Sequence, residues 1–146
     1  MDEPTSAGAV IELILNGLFP DIPVFRDTDL NDYLGVFPNF RIHEGISRVR
    51  MEASGTRRPR MQEELQIDFW QQCSDVTTED VSVVPAIEQA LDDFVSTRIG
   101  PNGTLIRLVS EGPGRHDFNA QTLIVQDLLT VTATMQPASA QLQGTN

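Results

Sequence analysis

Apolar positions recur along this chain with two different periods. Val10, Ile11, Ile14, Leu15 and Leu18 return every three or four residues, which predicts an amphipathic helix over about residues 6–17. Thr5 or Ser6 is available to cap it, and Gly17 and Pro20 to end it. Val84, Ile87, Leu91, Phe94 and Val95 repeat the same spacing, with Glu88, Asp92 and Asp93 on the outward side. That second helix is expected to start near Val84, so that Pro85 falls in its first turn, where a missing N–H costs no hydrogen bond. Arg98 would then lie in the last turn, with Gly100-Pro101 as the stop.

Elsewhere the period is two. Ile22 to Phe25 reads as a short strand, and Phe40 and Ile42 alternate with Arg41 and His43 after Pro38. Leu65, Ile67 and Phe69 share one face of a strong strand, while Gln66, Asp68 and Trp70 share the other. Leu105 to Ser110 is apolar enough for a central strand, and the Gly112-Pro113-Gly114 stretch within 111–122 predicts a turn or loop. Leu123 to Met135 forms the closing strand, with Leu123, Val125, Leu129, Val131 and Ala133 on its apolar side. Its length predicts a bulge or bend near Asp127.

Helix, strands, helix, strands is the order of an α+β fold with a mostly antiparallel sheet flanked by two main helices. A length of 146 residues fits one domain, taken as 1–135. Residues 136–146 are Pro, Ala, Ser, Gln, Gly, Thr and Asn with one Leu, and are expected to form a flexible C-terminal tail.

Charge divides the chain. The net charge is -11, all ten basic residues are arginines, and five of them (Arg48, Arg50, Arg57, Arg58 and Arg60) fall between Ser47 and Met61. Against Glu52 those five leave about +4 in that stretch, so the rest of the chain carries about -15. Gly55, Pro59 and the clustered charges predict a projecting, arginine-rich hairpin at about 47–61. Two readings of it stand: a solvated tip, or an element that docks on an acidic neighbour, which includes another copy of the chain. An acidic body argues against a general nucleic-acid or anionic-membrane surface. The Val10 to Leu15 run is broken by Glu12 and has no basic segment before it, so neither a signal peptide nor a membrane span is expected.

Catalytic chemistry finds little foothold. His43 and His116 are each followed by an acid, Glu44 and Asp117, a pairing that suits metal ligation or acid–base work, but no HxH or HxxxH spacing accompanies them. The chain lacks a GxSxG elbow, a Walker lysine and a GxGxxG turn. Cys73 follows a strand and reads as a packing residue. No enzyme activity, metal or cofactor is expected on this reading.

The order of elements nonetheless resembles a known family. The N-terminal helix, the extended Phe37-Pro38-Asn39-Phe40-Arg41-Ile42 segment, the strand Leu65-Gln66-Ile67-Asp68-Phe69-Trp70, the helix carrying Ala86-Ile87-Glu88-Gln89-Ala90-Leu91 and the late strand Leu123-Ile124-Val125-Gln126-Asp127-Leu128 are similar to the tail terminator, or tail completion, proteins of bacteriophages with long flexible tails. The similarity spans about residues 7–135 and rests on element order and size. It implies a structural virion protein at the tail–neck junction, assembled in the host cytoplasm as a hexameric ring. Such a ring caps the tail tube, ends its polymerisation, joins the head–tail connector and lets DNA pass without specific binding. Alternatives kept open are a head–tail connector, a tube subunit, a small enzyme using His43 or His116, and a monomeric adaptor.

Overall fold

The computed structural model describes residues 4–26, 37–51, 60–73 and 80–137, and for 46–51, 102, 112 and 113 the backbone alone. The elements follow in the order α1 (Ala7–Leu18), β1 (Val24–Arg26), β2 (Asn39–Met51), β3 (Arg60–Gln72), α2 (Val83–Asp92), β4 (Thr97–Arg98), β5 (Gly103–Asn119) and β6 (Ile124–Pro137), with a short 3-10 turn at Gly100–Asn102. This is an α+β arrangement in a single small domain, with a curled, mostly antiparallel sheet and two helices.

α1 begins where Ser6 accepts a hydrogen bond from the Ala9 amide at 3.1 Å, which satisfies one of the orphan N–H groups of the first turn. It ends at Leu18, where the Phe19 amide still reaches the Leu15 carbonyl at 2.8 Å and Pro20 follows. α2 holds Pro85 in its first turn, as its sequence predicts, but stops at Asp92. The expected continuation through Phe94 and Val95 to Arg98 is not made: Val95 is 78% exposed and Arg98 lies in β4, opposite Thr104. Helical spacing put Phe94 and Val95 in line with Leu91. Phe94 reaches the edge of the core from the turn after the helix, so the apolar contact is made without another helical turn.

Six strands make one sheet among the described residues, in the order β1-β2-β3-β6-β5-β4. β1 runs parallel to β2, and every other pairing is antiparallel. β6, the last strand among the described residues, therefore lies between β3 and β5. Leu105 to Ser110 is not central as expected, because β4 pairs with β5 at only two residues and leaves it near the edge. The segment read as a loop at 111–122 is mostly strand: β5 continues to Asn119, and Gly112-Pro113-Gly114 falls in a bulge between Glu111 and Arg115. A proline without an N–H and a glycine are the residues a bulge accommodates. β6 accordingly pairs without a register shift at Asp127, the irregularities being carried by β5.

Alternation decides what is buried. Phe40 and Ile42, Leu65, Ile67 and Phe69, and Leu129, Val131 and Ala133 share one face of the sheet, and Ala7, Ile11, Leu15, Val83, Ile87 and Leu91 of both helices pack on it as one core. Burial of each large apolar side chain there contributes roughly 1.5–3 kcal/mol. Phe40 joins the layers, with ring centroids 5.6 Å from Phe19 and 5.1 Å from Phe69. Cys73 is a free, buried thiol at the end of β3, in line with the packing role expected of it.

Candidate functional site

Three of the five arginines fall at described strand positions. Arg48 and Arg50 occupy ladder positions in β2 opposite Glu63 and Met61, and Arg60 starts β3 opposite Met51. Arg57 and Arg58 lie outside the described residues, as does all of 52–59. The flanks of the predicted hairpin are therefore paired strand, and β3 is joined to β6 from Met61 onward. Arg48 stands in register with Glu63, whose side chain is buried.

Arg60 and Gln62 belong to the other set of positions, on the face that carries neither helix. There Arg60, Gln62, Ile106, Arg107 and Thr134 line a shallow cavity of about 210 Å3. Arg107 was not singled out in the sequence. It approaches the hairpin because β6 lies between β3 and β5, a neighbour relation that local patterning does not encode.

The same helix-free face holds His43 and Asp68, whereas His116 and Asp127 stand in register with Phe69 and belong to the opposite set of positions. His43 Nε2 lies 3.1 Å from Asp68 Oδ2, and Gln66 Nε2 donates to Asp68 Oδ1 at 2.9 Å. Asp68 is only 3% exposed, so these bonds satisfy a carboxylate that would otherwise be costly to bury. Arg41 stacks over the Trp70 ring at 3.9 Å. His116 Nδ1 meets Asp127 Oδ1 at 2.6 Å across β5 and β6. Each histidine meets an acid on a neighbouring strand. Asp117 pairs with Arg115 at 2.9 Å, and Glu44 turns toward Arg26. Successive strand residues point to opposite faces, so a neighbour in sequence is a poor partner and a cross-strand residue a good one.

Glu44 sits in a second cluster that fastens α1 to the sheet. Arg26 Nε and Nη2 donate to Glu44 Oε2 and Oε1, each at 2.9 Å, and Ser6 Oγ donates to Glu44 Oε1 at 3.3 Å. Glu12 adds a longer ion pair to Arg26 at 3.5 Å. Partial burial disfavours the Arg26 charge, but the hydrogen bond and charge of Glu44, with Glu12 behind them, outweigh it and hold the guanidinium above its ordinary value. This cluster is an anchor for the helix N-terminus.

Among the described residues no group of three or more His, Cys, Asp or Glu side chains is placed to hold a metal ion. No helix among them is long and apolar enough to cross a membrane. Compared with models of known protein families the chain matches none, and no curated protein matches it in sequence.

Proposed function

We propose that this chain is a structural subunit of a phage tail: a terminator that assembles with its own copies into a closed ring, expected as a hexamer, on the end of the tail tube. The ring ends tube growth and offers the surface on which the head–tail connector docks. The observation that carries this reading is the separation of charge on a one-sided sheet. The stretch Ser47 to Met61 carries about +4 and the rest of the chain about -15, and both helices cover the same face of the sheet.

The opposite face is left to half-buried polar and small side chains, among them Gln62, Gln66, Thr130 and Thr132. A basic element on an acidic body favours contact between unlike parts of neighbouring copies, and a head-to-tail contact of that kind closes into a ring when its rotation allows. The acidic remainder suits DNA passage, because a negative lumen repels phosphate and avoids a sticking point.

The test is the mass of the purified protein by light scattering, with negative-stain images. A ring with a central hole is the expected result, and a chain that stays at 16.2 kDa, even with tube protein present, overturns it. Replacing Arg57, Arg58 and Arg60 by alanine is expected to weaken ring formation or tube capping. Unchanged mass and unchanged tail length in that variant would remove the hairpin from assembly. Addition to growing tubes separates the members of this class: a terminator shortens tubes, a tube subunit is incorporated along them, and a connector does neither.

A further inference from the structure

α2 lies beside β5, and between them runs an open groove of about 430 Å3, lined by Pro85, Glu88 and Asp92 from the helix and Leu108, Val109 and Ser110 from the strand. Three features of this groove lack a counterpart among the described residues. β4 covers β5 only at Thr104 and Leu105, so from Ile106 onward the outer edge of β5 has no strand beside it among the described residues. Such an edge is a template for another chain. Glu88 and Asp92 are both exposed and stand one helical turn apart, where like charges repel, and neither has an ion-pair partner among the described residues. The Ser110 hydroxyl is buried with no hydrogen-bond partner among the described residues.

We propose that this groove receives the Arg48 to Arg60 hairpin of a second copy of the chain. The inference rests on the assembly reading above and names the acceptor surface. Charge complementarity selects the occupant: guanidinium groups fork onto carboxylates, and the hairpin stretch holds half of the arginines in a chain without lysine. Within one chain Arg60, the hairpin arginine whose side chain is described, is badly placed to reach the groove. β3 and β6 separate β2 from β5, and Arg60 belongs to the helix-free face whereas the groove lies on the helix side. Arg60 and the groove thus lie on different strands and different faces of one subunit, which suits a heterologous contact.

The test uses the full chain in four forms besides wild type, read as mass against concentration by light scattering. Reversal of the acceptor (Glu88→Arg with Asp92→Arg) and reversal of the hairpin (Arg57→Glu, Arg58→Glu and Arg60→Glu) are each expected to raise the concentration needed for assembly by about tenfold or more. The milder Glu88→Gln with Asp92→Asn is expected to shift it in the same direction by less. Joining both reversals in one chain restores opposite charges and is expected to bring assembly back to within about threefold of wild type. If the acceptor variants assemble like wild type while the hairpin reversal does not, the hairpin docks elsewhere: this proposal fails and the assembly reading stands. A combined variant that keeps its circular dichroism and does not recover also overturns the contact. A wild-type chain that stays monomeric at every concentration fails the assembly reading itself, and this inference with it.

Discussion

The Glu44 carboxylate occupies the space that a side chain on Gly8 would need. A Cβ at Gly8 would overlap Oε1, Cδ and Cγ of Glu44, which approaches the first turn of α1 while bound to Ser6 and Arg26. The absence of a side chain at position 8 is what lets the helix N-terminus close on this anion, a favourable place for negative charge.

Gly8→Ala is therefore expected to cost about 1 kcal/mol despite the better helix propensity of alanine. The propensity gain is about 1 kcal/mol, and the displaced charge-assisted hydrogen bonds are worth about 1.5–3 kcal/mol. In a Glu44→Ala background the clash is gone, and the same substitution is expected to stabilise by about 0.5–1 kcal/mol. Urea midpoints of the four chains check this; an equal effect of Gly8→Ala in both backgrounds would contradict the contact.

Arg26→Met is expected to destabilise by about 1 kcal/mol, at the low end for a charge-assisted pair because the two side chains are 32% and 21% exposed. Arg26→Lys is expected to recover less than half of that, since an ammonium cannot make the two-pronged contact. Because the folded-state value of the guanidinium is raised, its contribution is fully present below the unfolded value and fades only as pH climbs through the folded one. The difference between wild type and Arg26→Met should stay flat between about pH 6 and 9. A slope in that window, measured by denaturation, would assign the effect to another group.

Gly114 meets a different kind of neighbour. A Cβ there would lie 3.0 Å from the Leu128 carbonyl oxygen and 3.1 Å from Leu129 Cδ2, so the obstruction includes the backbone of the central strand β6. Unlike the Glu44 side chain, that carbonyl cannot turn away. Gly114→Ala is expected to destabilise by about 1–3 kcal/mol, and no single second substitution of an adjacent side chain should reverse its sign. Thermal unfolding of Gly114→Ala alone and with Leu129→Ala tests this.

Phe40→Ala should be the most damaging core change, at about 3–5 kcal/mol. Phe40 is 0% exposed and its ring touches both Phe19, just beyond α1, and Phe69 on β3. Phe40→Leu retains much of the volume and is expected to cost under half as much. Chemical denaturation of both variants provides the comparison, and equal losses would indicate that ring stacking rather than volume dominates.

Local periodicity was enough to read most of the buried faces, though not their ends, where Leu18 and Val95 are exposed. The pleat of a strand and the 3.6-residue turn of a helix are properties of the backbone, so Leu65, Ile67 and Phe69, or Val10, Ile11 and Leu15, announce a buried face before any partner is known. The Ser6 cap, Pro85 in the first turn of α2 and the apolar side of β6 were legible for the same reason. The arginine cluster was legible as composition.

Pairing was not legible, because it joins residues far apart in the chain. Only the folded sheet places β6 between β3 and β5, brings Arg107 beside Arg60, and gives His43 to Asp68 and His116 to Asp127. The same holds for Gly112-Pro113-Gly114, whose residues suit a turn and a bulge equally: ladder partners on β6, not local chemistry, carried β5 through to Asn119. The amino-acid sequence by itself determined the faces and the distribution of charge, since both follow from residue order alone. The tertiary structure decided the neighbours, since hydrogen bonding between distant strands selects one register among several that local preference would accept.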